Sequence, residues 1–231
     1  MTADRQQLEL AIAAQESLRG TVPDDVVDAA VAALRRQLVG ADPTEQRRRQ
    51  ITVLFADVSG FTAMSERMDP ELVADVMNDV WARLDVVIVE HGGRIDKHMG
   101  DGVMAVWGGD AAREDDPERA VRAGLALQAT LASFVADTQV DIAMRVGINT
   151  GPALVGAVGT TLELTAMGDT VNLASRLEHH APLGSVLISH DTYRTVRGVF
   201  DVQPSDELTV KGKSAPVRAY VVERAKARAF R

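Results

Sequence analysis

Residues 51–62 have the sequence ITVLFADVSGFT, in which a β-branched, apolar run ends on a carboxylate and a short polar turn follows. Alternate residues of a strand share a face, so Asp57 is predicted to lie on the same face as Ile51, Val53 and Phe55. A lone carboxylate on an apolar face is costly unless a positive charge lies beside it. A divalent metal ion would supply that charge, because hard cations prefer carboxylate oxygens. The alternative is an Asp that caps the helix after the strand.

A second carboxylate lies in a predicted β-hairpin at residues 92–107, GGRIDKHMGDGVMAVW. The turn signal is Gly100-Asp101-Gly102, where Asp is a common turn residue. Asp101 also opens a strand, and its predicted same-face partners are Val103, Ala105 and Trp107. Two carboxylates at strand ends could hold two divalent ions about 3.5–4 Å apart, an arrangement that serves phosphoryl chemistry.

Two further segments carry polar groups at regular spacing. In the hairpin, strand alternation groups Lys97 with Ile95 and Met99, so Lys97 either snorkels to solvent or points into a cleft. A strand-like run at residues 162–167 is broken by Gly168-Asp169-Thr170, which can start a helix at residues 171–179. On that helix Asn172 and Arg176 share one face, either as a solvated surface or as part of a site.

The chain resembles the class III nucleotide cyclases, the catalytic domains of adenylate and guanylate cyclases, over residues 50–223. The resemblance rests on five separated motifs in the expected order: FADVSGFT, HGGRIDKHMGDGVMAVWG, MRVGINTGPALVGAVG, MGDTVNLASRLE and LTVKGK. One such motif would be weak support, whereas five in order are specific.

The resemblance implies roles for individual residues. Asp57, Asp101 and the backbone carbonyl of Val58 match the positions that bind two divalent cations, Mg²⁺ or Mn²⁺. Lys97 and Thr165 match the two residues that read the base. Thr at the second position is typical of a bacterial adenylate cyclase subgroup that includes bicarbonate-responsive enzymes.

The remaining matched positions concern the ribose and the phosphates. Asn172 would orient the ribose, and Arg176 would stabilise charge on the reacting phosphate. The expected triphosphate contacts are Ser59, Gly60, Phe61, Thr62, Arg145 and Lys211, with backbone N–H groups of the first three as donors at a helix start.

The implied activity is conversion of ATP to 3′,5′-cyclic AMP and pyrophosphate. Lys97 can only donate a hydrogen bond, which suits N1 of adenine, and Thr165 can accept one from the amino group. In this family the two aspartates and the Lys–Thr–Asn–Arg set lie on opposite partners of a head-to-tail dimer, so a homodimer with two equivalent sites is implied. The alternatives are side activity on GTP, a diguanylate cyclase suggested by Gly108-Gly109-Asp110, and a non-catalytic nucleotide-sensing module.

Composition bounds these expectations. The chain has 231 residues, 46% of them hydrophobic, which suffices for one domain and an extension. Cysteine is absent, and the net charge of −8 argues against a nucleic-acid partner. The sequence has no run of 18 apolar residues, so we expect no membrane span. Its first residues, MTADRQQ, are polar and mixed in charge, unlike a secretory leader, so we expect a cytoplasmic location.

Three parts are predicted along the chain. Residues 1–49 form a helical extension that ends in a solvated linker, Arg47-Arg48-Arg49, residues 50–223 form the catalytic domain, and residues 224–231 form a basic, helical tail. Within the domain, helices are expected at residues 61–66 and 70–90, separate strands at residues 141–148 and 153–158, and a final strand pair near residues 207–211 and 217–223. The expected fold class is α+β: a ferredoxin-like sandwich with a central, mostly antiparallel sheet and helices packed on one face. Further regulatory domains are expected if the chain is a fragment.

Overall fold

The computed structural model describes residues 3–19, 22–23, 26–28, 30–31, 34, 47–60, 69–109, 111–158, 163–209 and 216–227. The helices are α1 (Ala3–Glu16), α2 (Pro70–Glu90), α3 (Asp116–Thr138), α4 (Asp169–His180) and α5 (His190–Val196). The strands are β1 (Arg47–Ser59), β2 (Arg94–Met99), β3 (Gly102–Trp107), β4 (Ala143–Val158), β5 (Glu163–Met167), β6 (Ser185–Ser189), β7 (Phe200–Pro204) and β8 (Ala219–Ala225). The predicted helix at residues 61–66 lies outside the described residues.

The strands form one sheet in the order β2-β3-β1-β4-β6-β8-β7, and β5 pairs with β4. The pairing of β4 with β6 is parallel, while β1–β3, β1–β4, β2–β3, β6–β8 and β7–β8 are antiparallel. The expected α+β fold with a mostly antiparallel central sheet is therefore confirmed.

Helix α2 illustrates how the sequence specifies these elements. The side chain of Asp69 accepts a hydrogen bond from the Glu71 backbone nitrogen at 3.0 Å, and Pro70 occupies the first turn. The buried residues recur at helical spacing and belong to the main hydrophobic core: Val73, Met77, Val80, Leu84 and Ile88. The helix has the bounds that the sequence predicts.

Helices cover both faces of the sheet, so the expectation of one helical face is wrong. On α3, a Cβ added to Gly124 would lie 3.2 Å from the Ile148 side chain of β4. On the opposite face of β4, a Cβ added to Gly147 would lie 2.1 Å from the Glu178 backbone nitrogen of α4. Successive strand residues point to opposite faces, so α3 and α4 pack on opposite sides.

The strand boundaries differ from the sequence prediction in two places near the site. Residues 47–49 were expected to be a solvated linker, but these arginines belong to β1 and pair with residues 153–155. Residues 141–148 and 153–158 were expected to be separate strands, but β4 is continuous across Gly151. There, a Cβ on Gly151 would lie 2.7 Å from the Thr170 hydroxyl, so this glycine permits close packing.

The C-terminal region also differs. Strand β7 was not predicted. Of the strand expected near residues 207–211, residues 207–209 are described, and there Leu208 forms an isolated bridge to Val217. Strand β8 continues to Ala225, so the expected helical tail is wrong at Arg224, whose guanidinium pairs with Asp201 across the sheet at 2.8 Å. Residues 228–231 lie outside the described residues.

The chain divides into two compact units, Met1–Gln46 with Gly156–Leu164, and Arg47–Val155 with Thr165–Arg231. The first contains α1 and an ion pair between Arg19 and Asp28 at 2.6 Å. The second contains the main core. None of the helices in the described ranges is long and apolar enough to cross a membrane.

Candidate active site

Asp57 lies near the end of β1, directly opposite Gly102 of β3 and Arg145 of β4. Its face of β1 is the one that α4 covers, because Phe55, two residues earlier, pairs with Gly147. Leu54, Ala56 and Val58 point the other way, into the main core. The predicted alternation is therefore confirmed, and it leaves a carboxylate on a largely buried face.

Asp101 lies in the turn before β3, and its backbone carbonyl accepts a hydrogen bond from the Val58 nitrogen at 2.9 Å. Strand alternation was expected to group Asp101 with Val103, but alternation does not extend into the turn. The Asp101 carboxyl group instead lies beside that of Asp57, close enough for a hydrogen bond between them.

This proximity has an electrostatic consequence. Burial raises the pKa of Asp57, and the nearby Asp101 charge and a hydrogen bond that protonated Asp57 donates to Asp101 raise it further. His179 and Arg145 act in the opposite direction, but they do not cancel the effect. The negative charge of the two neighbouring carboxylates is thus balanced only in part by the protein. A bound cation would supply the missing positive charge.

Glu178 is a third acidic residue at this location, and it was not among the site residues predicted from the sequence. It is buried, and its pKa is raised by burial first and also by the charge of Asp57. His179 pairs with it at 2.7 Å. A signal was available, because Ala174, Glu178 and Ala181 recur at helical spacing on the face that packs against the sheet.

The two predicted base-reading residues meet at Asp96 of β2. Thr165 donates a hydrogen bond to Asp96 Oδ2 at 2.5 Å, and the Lys97 ammonium lies 3.6 Å from the same oxygen. The register of β2 against β3 shifts between Ile95 and Lys97. This shift interrupts the strand alternation that was expected to place Ile95 and Lys97 on one face.

Asn172 and Arg176 lie on α4, as predicted. The helix turns Ala174 and Glu178 toward β4, so Asn172 is exposed and Arg176 is half-buried. The groups that lower the pKa of Asp57 are His179 and Arg145. One copy of the chain therefore leaves Asn172 exposed, while Glu178 of the same helix lies near Asp57.

The predicted phosphate contacts are only partly described. Ser59 ends β1, and Gly60 follows with a left-handed φ of 103°. A Cβ on Gly60 would lie 2.6 Å from the Asp141 carbonyl oxygen, so glycine is required there. Phe61, Thr62 and Lys211 lie outside the described residues.

The donor set fits divalent cations of the Mg²⁺ type. Within the part of the chain that the structure describes, no cluster of three or more acidic or histidine side chains is arranged to hold a metal ion. The site instead offers two carboxylates and the adjacent backbone. Mg²⁺ is characteristically bound by one or two carboxylates, with substrate phosphates and water completing its shell.

Comparison with known proteins agrees with this geometry. Residues 44–224 match the adenylate and guanylate cyclase catalytic domain family. Adenylate cyclase 1 of Rhizobium meliloti is 34% identical over 183 residues, which cover 76% of this chain and 28% of that protein. The chain thus spans about a quarter of that relative's length.

Solved structures of both substrate classes are similar to the chain. The adenylyl cyclase CyaB from P. aeruginosa is 33% identical with a TM-score of 0.74, covering 80% of this chain and 100% of that one. The guanylate cyclase domain of RhGC from Catenaria anguillulae, in complex with GTP, is 31% identical with a TM-score of 0.73, covering 78% and 100%. The chain therefore belongs to the class III adenylate and guanylate cyclase family.

Proposed function

We propose that this protein is an adenylate cyclase that converts ATP to 3′,5′-cyclic AMP and pyrophosphate. The observation that carries the proposal is the side-by-side placement of the Asp57 and Asp101 carboxyl groups, which leaves negative charge for cations to balance. The family includes guanylate cyclases, so the choice of ATP rests on Lys97 and Thr165.

Asp57, Asp101 and the Val58 carbonyl would hold two divalent cations. When bound, these cations supply acidification of the attacking hydroxyl and neutralisation of charge on the phosphates. The protein's side chains orient the substrate around this centre. The 3′-hydroxyl would give up its proton to water as its oxygen forms a bond to the α-phosphorus, and the bond from that phosphorus to the pyrophosphate oxygen would break.

Arg176 would donate hydrogen bonds to the α-phosphate oxygens, where negative charge concentrates in the transition state. Its planar, forked donors suit this task better than a lysine ammonium. Asn172 would fix the ribose so that the 3′-hydroxyl lines up with the phosphorus. Arg145, opposite Asp57 on β4, and Lys211 would contact the triphosphate. Positioning and electrostatics would thus provide most of the catalysis.

The site is proposed to be shared across a head-to-tail homodimer. One protomer would supply the carboxylates, and its partner would supply the base-reading pair with Asn172 and Arg176. The exposure of Asn172 supports this arrangement, because helix α4 directs Glu178, not Asn172, toward the carboxylates of its own chain. An isologous dimer is also the commonest closed assembly.

A product assay with ATP and GTP, each with Mg²⁺ and with Mn²⁺, tests the proposed activity. We expect cyclic AMP as the main product and a higher kcat/KM for ATP, and we expect Asp101→Ala to abolish turnover. The absence of either cyclic nucleotide from the wild-type protein would refute cyclase activity. A higher kcat/KM for GTP would refute the ATP assignment alone.

A further inference from the structure

Asp96 is a fully buried carboxylate that no step of the proposed reaction uses. Its side chain has 0% of its surface exposed, although β2 lies at the edge of the sheet. It occupies the point where the β2–β3 register shifts, and such a shift re-aims side chains. A buried charge is expensive unless cations and hydrogen-bond donors surround it, so its neighbours have to be accounted for.

Three donors converge on this carboxylate. Arg94 lies 3.1 Å from Oδ1, while the Lys97 ammonium and the Thr165 hydroxyl approach Oδ2 at 3.6 Å and 2.5 Å. Lys97 remains 45% exposed on its far side. Asp96 therefore links the two base-reading residues, which are far apart in sequence, and balances its own charge against both cations.

The hydrogen bond from Thr165 decides what its hydroxyl can offer a ligand. A hydroxyl has one hydrogen and two acceptor positions, and a carboxylate oxygen can only accept. Because the Thr165 hydrogen points to Asp96, its oxygen presents only acceptor positions elsewhere. An amino group such as that of adenine can donate to this oxygen. A carbonyl oxygen such as O6 of guanine would meet another acceptor.

The contact with Asp96 also affects which hydrogen-bonding groups Lys97 offers to a base. Its ammonium lies 3.6 Å from Asp96 Oδ2, the same oxygen that accepts the Thr165 hydrogen bond. The N–H donors of Lys97 suit an unprotonated ring nitrogen such as N1 of adenine, and N1–H of guanine would present a donor to a donor. Lys97 and Thr165 thus offer a donor and an acceptor, which complement N1 and the amino group of adenine.

We infer that Asp96 is the positioning residue that sets selection of the adenine base over guanine, by holding the Thr165 hydroxyl as an acceptor and Lys97 as its neighbouring donor. This inference rests on the proposed function for the location of the base. The identities of Lys97 and Thr165 alone do not explain a preference for ATP, because an unconstrained threonine hydroxyl could donate or accept. The contact with Asp96 supplies the missing cause.

The test compares binding of 3′-deoxy-ATP and 3′-deoxy-GTP, which lack the attacking hydroxyl, to wild-type protein and to Asp96→Asn in the presence of Mg²⁺. The Asn amide can donate to Thr165 and turn its hydrogen outward. We expect the ratio of the two dissociation constants to move toward guanine by about tenfold, the size of one net hydrogen bond. The matched control is Asp201→Asn, which removes another Arg-paired strand carboxylate, and its ratio should not change.

A double-mutant cycle with Thr165→Val separates positioning from a merely structural role. If Asp96 acts through Thr165, Asp96→Asn should change the ratio much less in the Val background. Equal weakening of both nucleotides by Asp96→Asn, with the ratio unchanged, would overturn the inference. If Asp96→Asn does not fold, as judged by thermal unfolding, the comparison of Thr165→Ser with Thr165→Val takes its place. Ser should keep the ratio and Val should lose it, and equal ratios would overturn the inference.

Binding and turnover also separate the two proposals. Wild-type protein that makes no cyclic nucleotide but binds 3′-deoxy-ATP selectively, with the selectivity lost in Asp96→Asn, would refute the proposed function and support this inference. Wild-type protein that makes cyclic AMP, with an unchanged binding ratio in Asp96→Asn, would refute this inference and leave the proposed function standing. Wild-type protein that binds 3′-deoxy-GTP as well as or better than 3′-deoxy-ATP would overturn the inference.

Discussion

Gly147 of β4 and Glu178 of α4 are in such close contact that a Cβ added to the glycine would lie 2.1 Å from the Glu178 backbone nitrogen. The Ala174 carbonyl oxygen would lie 2.5 Å away on the same side. Both neighbours are helix backbone, which cannot move without displacing α4. This contact fixes the distance between the helix that carries Asn172 and the strand that carries Arg145.

We therefore expect Gly147→Ala to destabilise the fold and to reduce activity. Overpacking a close contact costs about 1–3 kcal/mol, which urea unfolding would measure. Gly109→Ala is the matched control, because the nearest atom to its added Cβ would be 3.8 Å away. Equal unfolding free energies for Gly147→Ala and wild type would contradict the contact.

The raised pKa of Asp57 predicts how the stability of the metal-free protein depends on pH. Its pKa is raised above the ordinary value of 3.8, mainly by burial and then by Asp101. The folded chain therefore binds a proton more tightly than the unfolded chain, so this group's contribution to stability falls as pH rises from about 3.8 through the folded value.

In the presence of a chelator, wild type should lose stability relative to Asp57→Asn as the pH rises through this window and keep that deficit at neutral pH. Addition of Mn²⁺ should reduce the deficit, because the cation offsets the paired carboxylates. Urea unfolding from acid to neutral pH measures the difference. A deficit that grows toward acid pH would have the wrong sign.

Glu178 should tune the affinity for divalent cations without binding them in the proposed site. The Asp57 charge raises the pKa of Glu178, so the two side chains lie close together, and Glu178→Gln removes an ionisable carboxyl group near the proposed cations. We expect the apparent affinity for Mn²⁺ in the activity assay to weaken about threefold to tenfold, as for one partly screened charge. Glu118→Gln, which breaks an ion pair with Arg122 on α3, should leave it unchanged. Identical Mn²⁺ titrations for Glu178→Gln and wild type would contradict this role.

Local patterns predicted much of this architecture. The helix expected at residues 70–90 has these bounds in the structure. Strand alternation placed Asp57 on the correct face, because β1 is regular up to that residue. The five motifs indicated the family, which the matched residues 44–224 confirm.

The features that were missed depend on contacts between distant segments. Gly151 looked like a strand end, but its missing side chain makes room for Thr170. The register shift at Asp96 leaves no mark in the local pattern, so its contact with Thr165 could not be foreseen. Glu178 was missed although its spacing with Ala174 indicated burial, because the pattern alone does not show that Gly147 lets α4 pack so closely on β4.

Complementation between two inactive variants tests the central claim most directly, because it asks whether carboxylates and Arg176 come from different copies of the chain. Asp57→Ala and Arg176→Ala should each be inactive alone. Random mixing makes half of the dimers mixed, each with one intact site of two, so activity should return to about a quarter of wild type.

The control mixes Asp57→Ala with Asp101→Ala, which damage the same half of the site and should not complement each other. The decisive measurement is cyclic AMP production from ATP by the co-purified mixed dimer of Asp57→Ala and Arg176→Ala. Our account predicts recovery only in that mixture, and activity no higher than the sum of the separate variants would contradict it.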